Sequence, residues 1–152
     1  MRIAVGWDHR GRVFWPRFQK LLNDLGHDVV DMGAQSDESS DYPDFAVRVG
    51  EAVSRGECDR GILVCGSGIG MSVAANKVKG IRAAVAWDEE SARLSRAHND
   101  ANILCVGEAV AGGPVLDDVV SVWLDTPHEG GRHARRVAKI TEYDNRRGPI
   151  LP

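Results

Sequence analysis

A chain of 152 residues with 43% hydrophobic content is long enough for one domain to bury its own core. Its formal charge of -3 lacks the excess of lysine and arginine that marks a nucleic-acid binder, and no apolar run approaches the roughly 20 residues that cross a bilayer. The start, Met1 to Gly6, has too short an apolar stretch for a signal peptide. The three cysteines Cys58, Cys65 and Cys105 form no C-x-x-C pair, so free thiols in a reducing cytoplasm are expected.

Strand-length apolar runs alternate with stretches of helical spacing along the chain, the pattern of βαβ units around a parallel sheet. Strands are expected at about Arg2–Gly6, Asp28–Met32, Gly61–Cys65, Ala83–Trp87 and Ile103–Val106. Between the first two, Phe14, Phe18, Leu21, Leu22 and Leu25 keep the spacing of one buried helix face, with Pro16 in the first turn and Gly26 as the cap. A second helix is expected over Tyr42–Ser54, with Asp41 as N-cap and Pro43 in the first turn. A third starts within or just after Gly68-Ile69-Gly70, a fourth near Asp88, and the last two cover about Pro114–Leu124 and Gly131–Tyr143, before an irregular tail from Asn145. The expected fold is one doubly wound α/β sandwich of three layers, Rossmann-like, spanning residues 1–152.

The third strand ends in Cys65-Gly66-Ser67-Gly68-Ile69-Gly70-Met71-Ser72, which sets a thiol and hydroxyls among glycines where a strand turns into a helix. Glycines let the backbone approach a ligand, and the N–H groups of a helix's first turn attract an anion. Neither G-x-G-x-x-G nor the phosphate-loop pattern ending in G-K-[ST] is present. A thiol beside a helix start is a candidate base, whereas Cys58 and Cys105 read as structural. Asp8, His9 and Arg10 follow the first strand, although Asp8 could serve only as a cap. His98-Asn99-Asp100 precedes the fifth strand, and Arg132 and Arg136 share a helix face at i, i+4, as an anion clamp would require.

Together these motifs resemble the type B ribose-5-phosphate isomerase family, which also includes galactose-6-phosphate and allose-6-phosphate isomerases. Asp8-His9, Asp41-Tyr42-Pro43-Asp44, the Cys65 loop, Ala75-Asn76-Lys77, His98-Asn99-Asp100-Ala101-Asn102 and Gly130-Gly131-Arg132-His133 carry the resemblance. It implies an aldose-ketose isomerase acting through a cis-enediolate, with ribose 5-phosphate and ribulose 5-phosphate as the expected substrate pair. Cys65 would be the base, Ser67 a proton mover between oxygens, and His98 with Asp8 the ring-opening pair. Backbone N–H groups of Gly66, Gly68, Gly70 and Met71 would hold the enediolate. Asn99 would bind a sugar hydroxyl, Tyr42 would pack along the substrate, and His9, Arg132 and Arg136 would bind phosphate. The resemblance implies no metal or organic cofactor, and a homodimer or homotetramer with shared sites.

The chain departs from that pattern in Gly107-Glu108-Ala109-Val110, where the family has an arginine at the place of Ala109, and in Trp7, Trp87 and Ser67. An isomerase of an unphosphorylated sugar or sugar acid, with the tryptophans lining a reshaped pocket, is the second expectation. A sugar-binding paralogue without turnover is the third.

Overall fold

A computed structural model describes residues 1–147, as five strands joined by helices. The strands are β1 (Arg2–Trp7), β2 (Asp28–Asp31), β3 (Arg60–Cys65), β4 (Ala83–Val85) and β5 (Ile103–Gly107). The helices are α1 (Trp15–Asp24), α2 (Tyr42–Ser54), α3 (Ile69–Ala75), α4 (Glu89–Ala97), α5 (Glu108–Ala111), α6 (Leu116–Asp125) and α7 (Gly131–Arg146), with a 3-10 turn over Gly11–Phe14. All strand pairs are parallel, in the order β2-β1-β3-β5-β4. The middle strands β1, β3 and β5 are buried along nearly their whole length, as strands covered on both faces must be, while β2 and β4 at the edges are only half-buried. Helices α2 and α3 pack on each other and on β3, and α4 packs against α6.

The chain leaves β1 toward one edge of the sheet and leaves β3 toward the other, so the winding reverses between these neighbours. A crevice opens at such a reversal, beyond the carboxyl ends of the strands, and ligands settle there in doubly wound sheets. The loops that begin with Asp8 and Gly66 flank it.

Several boundaries differ from the sequence expectation. β4 stops at Val85 rather than Trp87 because the chain is already entering the α4 cap, where Ser91 Oγ accepts the N–H groups of both Trp87 and Asp88. Asp88 caps α4 through Oδ1, which accepts the Ser91 N–H at 2.7 Å. Asp41 occupies the N-cap of α2 without a side-chain capping bond. α7 continues to Arg146, so Asn145 is helical; Asp144 accepts the Gly80 N–H at 2.6 Å and fixes that end. The rest of the expected tail beyond residue 147 lies outside the described residues.

Candidate active site

Cys65 is the last residue of β3 and is buried, as is the Asp8 side chain, which ends the neighbouring strand's loop entry. The chain then turns through Gly66, Ser67 and Gly68, and Gly68 has φ of +78°, which only glycine adopts without strain. A Cβ there would also stand 2.9 Å from the Val106 carbonyl carbon, so this glycine is required twice over. The turn aims the Gly68 N–H at Cys65 Sγ, 3.2 Å away. A donor in that place serves a thiolate better than a thiol. That N–H is therefore engaged by sulfur in the resting protein. Ser67 Oγ accepts the Ile69 N–H at 3.2 Å, which leaves its own hydrogen free to be donated. The Met71 side chain is core, so only its backbone can face a ligand.

Other elements converge on this turn. Tyr42, first residue of α2, lays its ring against Gly70: a Cβ on that glycine would be 2.7 Å from Tyr42 Cζ. His9 is held reciprocally by Ser40, whose Oγ accepts the His9 N–H at 3.0 Å while its own N–H donates to Nδ1 at 3.1 Å. Nδ1 being an acceptor, the neutral ring carries its proton on Nε2, where it can be donated to an anion. Asp8 Oδ1 accepts the N–H groups of Arg10 and Gly11, both at 3.1 Å, which closes the turn ahead of the 3-10 segment. Asp8 is therefore a turn residue rather than the N-cap expected for it, since Arg10 precedes the 3-10 segment and Phe14 is the N-cap of α1. Gly66, Ser67, Trp87 and Ala109 line a hollow of about 460 Å³. This falls within the size range of small-molecule sites.

Trp7 does not line that hollow. It is 1% exposed, donates from Nε1 to the Ala34 carbonyl at 3.1 Å and stacks near Trp15 with ring centroids 4.7 Å apart. Gly33 makes room for it, since a Cβ there would overlap the indole. Of the two unusual tryptophans, only Trp87 stands at the site, 66% exposed.

The remaining expected residues sit elsewhere. His98 is the C-cap of α4, just before β5, and so lies at the amino edge of the sheet. Cys65 lies at the carboxyl edge, the length of a strand away, roughly 20 Å for six residues. Glu129, whose N–H donates to the Ala97 carbonyl, brings the start of α7 to the same amino edge. There the His98 and His133 rings stack at 4.0 Å, 6° from parallel, and both Nε2 atoms approach Glu129 Oε2, at 3.7 and 3.4 Å. The donors of these three residues lie within 4.8 Å of one another. Parallel rings so spaced cannot both aim an in-plane lone pair at one ion about 2.1 Å from each, so the set does not suit a metal. Arg132 and Arg136 are exposed on α7, and Asn99 is exposed beside Arg82, whose Nε donates to its carbonyl at 3.1 Å. Within one chain the structure thus joins Asp8, Tyr42, Cys65 and the glycine turn, with His9 following Asp8 in the loop after β1 but lining a neighbouring hollow with Trp7 and Arg12, and it does not join His98, Asn99, Arg132 or Arg136 to them. Burial pushes the Cys58 and Cys105 thiols up, in keeping with structural roles.

Sequence reasoning missed the ion pair of Arg10 with Glu108 beside this turn. Its members are far apart in sequence, and no local pattern announces them.

A thiol and a glycine turn at the switch point of a doubly wound sheet define an α/β enzyme that works on a small anionic or carbonyl-bearing ligand. The family model described as Ribose/Galactose Isomerase matches residues 3–140. Ribose-5-phosphate isomerase B of Escherichia coli is 46% identical over 146 residues, covering 96% of this chain and 98% of that protein. D-erythrulose-4-phosphate isomerase 2 of Mycolicibacterium smegmatis is 41% identical over 148 residues, covering 95% and 97%. The solved structure of Clostridium thermocellum ribose-5-phosphate isomerase B is 51% identical with a TM-score of 0.91, covering 95% of this chain and 98% of that one. The chain belongs to the ribose/galactose isomerase family, and it is a sugar-phosphate isomerase.

Proposed function

We propose that this enzyme interconverts ribose 5-phosphate and ribulose 5-phosphate, and that Cys65 is its base. The observation that carries the reading is the Cys65 sulfur at the end of β3, in the crevice where the winding reverses, with the Gly68 N–H bonded to it. The thiolate takes the proton from the carbon beside the aldehyde, and the carbonyl oxygen gains the charge. Backbone N–H groups of the turn, Gly66, Gly70 and Met71, stabilise this enediolate, the kind of contact that usually dominates such catalysis. Ser67 passes a proton between the two oxygens, and the proton on Cys65 returns to the neighbouring carbon. The route is balanced without an outside acid, oxidant or cofactor. His9, through Nε2–H, binds the phosphate, and Tyr42 packs along the sugar.

We further infer that two copies complete each site. His98 and Asn99, with Arg132 and Arg136, lie at the opposite edge of the sheet from Cys65, so they can act on the same sugar only if a second copy presents that edge. Asp8 and His98 are then a ring-opening pair formed between subunits. The resemblance to dimeric isomerases with shared sites points the same way. Three free cysteines suit a reducing cytoplasm.

A different sugar phosphate is the second reading, favoured by the 41% identity to a D-erythrulose-4-phosphate isomerase and by Ala109 and Trp87 at the hollow. The test is turnover of ribose 5-phosphate, ribulose 5-phosphate, erythrulose 4-phosphate and free ribose by the purified protein. Highest kcat/KM for the pentose phosphates is the expected result. Preference for erythrulose 4-phosphate would favour the second reading, efficient use of free ribose would overturn both, and no turnover of any would leave a binding protein.

A further inference from the structure

The ends of β1 and β5 stand on either side of β3, and one ion pair spans the gap between them. Arg10 Nε meets Glu108 Oε1 at 2.7 Å, and Nη2 donates to Oε2 at 3.1 Å, a bidentate contact. The guanidinium lies over Gly66: Nη1, Cζ and Nη2 are 3.5, 3.6 and 3.9 Å from where a Cβ on that glycine would stand. The Glu108 backbone N–H donates to the Gly66 carbonyl at 3.1 Å, so Glu108 is fastened to the residue that follows the base while the Arg10 guanidinium lies over it. Arg10 is fixed from its other side as well, because its own N–H is held by Asp8. The Arg10 side chain remains 59% exposed and Glu108 32%, so the guanidinium presents a face to solvent at the mouth of the turn while the carboxylate stands partly behind it. The guanidinium is held above its ordinary range, first by its bond to Glu108, with Asp8 and Cys65 adding to the attraction, so it lies within electrostatic reach of the base.

We propose that Arg10 is a specificity-determining cation at the lip of the sugar-phosphate site, and that Glu108 orients it and sets its strength toward an anionic substrate. This rests on the isomerase reading above. A guanidinium shared with a carboxylate attracts an incoming anion less than a free one. Removing the carboxylate therefore strengthens the lip, and removing the guanidinium leaves a bare carboxylate that repels the anion. A purely mechanical strap across β1 and β5 behaves differently: loss of either partner breaks it, and both losses act in the same direction.

Glu108→Gln, Arg10→Gln and Arg10→Lys separate the two. The readouts are KM for ribose 5-phosphate and the dissociation constant of inorganic phosphate by calorimetry, at low and at roughly 0.5 M salt. Glu108→Gln should lower both constants by about threefold to tenfold, and Arg10→Gln should raise them by a similar factor. Arg10→Lys should stay near the native values. The contrast should shrink at high salt, as exposed charges are screened. The pair is exposed, so thermal midpoints should hardly move, and they report whether each variant is folded. Shifts of the same sign in the two glutamine variants, or no shift in either constant, would overturn the proposal while an active wild type leaves the isomerase reading standing. A wild type that turns over no sugar phosphate would overturn the isomerase reading instead, and phosphate binding would still test Arg10.

Discussion

His98 and His133 stack face to face, with ring centroids 4.0 Å apart, over the single carboxylate of Glu129. His133 is held below its ordinary value, first by burial, then by the charges of His98 and Arg132, with Arg136 adding and Glu129 opposing.

That arrangement gives stability a pH dependence of definite sign. Well above the ordinary histidine value of 6.5, His133 is neutral folded or unfolded and contributes nothing. As pH falls below that value the unfolded chain binds the proton first, so stability is lost with acidification. His27, lowered first by burial and then by the N-terminal ammonium, acts in the same sense. Thermal midpoints between pH 7 and 5 should fall, and fall less in His133→Asn. A variant with the native slope would remove His133 from the account.

The glycine turn makes a sharper test of backbone geometry. Gly68→Ala meets both a positive φ and the Val106 backbone, so it should cost about 2 to 4 kcal/mol and most of the activity. Gly56 has φ of +71° but nothing within 4 Å of a Cβ, so Gly56→Ala should cost about 1 to 2 kcal/mol and leave turnover intact. Chemical denaturation of the two variants measures the difference, and equal losses would contradict the crowding at Gly68.

If His98 opens the sugar ring from a second copy, two consequences follow. His98→Asn should slow conversion of ribose 5-phosphate far more than that of a four-carbon sugar phosphate that cannot close a furanose. Mixing His98→Asn chains with Cys65→Ser chains, each slow on ribose 5-phosphate, then allowing subunits to exchange, should raise the rate on ribose 5-phosphate above that of either variant alone, because a mixed pair contains one site with both groups. No recovery after demonstrated exchange would place the two residues in one chain's site or none.

Ala109 and Trp87 share the hollow beside Ser67, so they control what fits there. Ala109→Arg should improve use of ribose 5-phosphate, lowering KM severalfold through one added charge-assisted bond. An unchanged KM would show that the position does not face the phosphate.

Much of this was legible in the chain itself. The burial of β1, β3 and β5 along nearly their whole length follows from their apolar runs, and the Cys65 loop announces itself by glycines where a strand gives way to a helix. The strand order was not legible, because local patterning does not say which neighbour a parallel strand chooses. The helix α5 and the 3-10 turn at Gly11 are too short to show periodicity. Trp7 read as a change in the pocket, yet it is a core residue whose partner, Gly33, yields the space it fills. The split of the site across two sheet edges could have been noticed, since His98 precedes a strand whereas Asp8 follows one and Cys65 ends one. The Arg10–Glu108 pair could not.

The role of Cys65 is the centre of the account, and conversion of ribose 5-phosphate in deuterated water, followed by proton magnetic resonance, tests it most directly. The wild type should produce ribulose 5-phosphate that carries solvent deuterium on the receiving carbon only in the proportion that the proton on Cys65 exchanges with solvent before its return, and it should do so equally after treatment with a chelator. Cys65→Ala, folded and with nearly native stability, should be slower by about 10² to 10⁴. A Cys65→Ala enzyme that keeps more than half of the native rate would contradict the assignment.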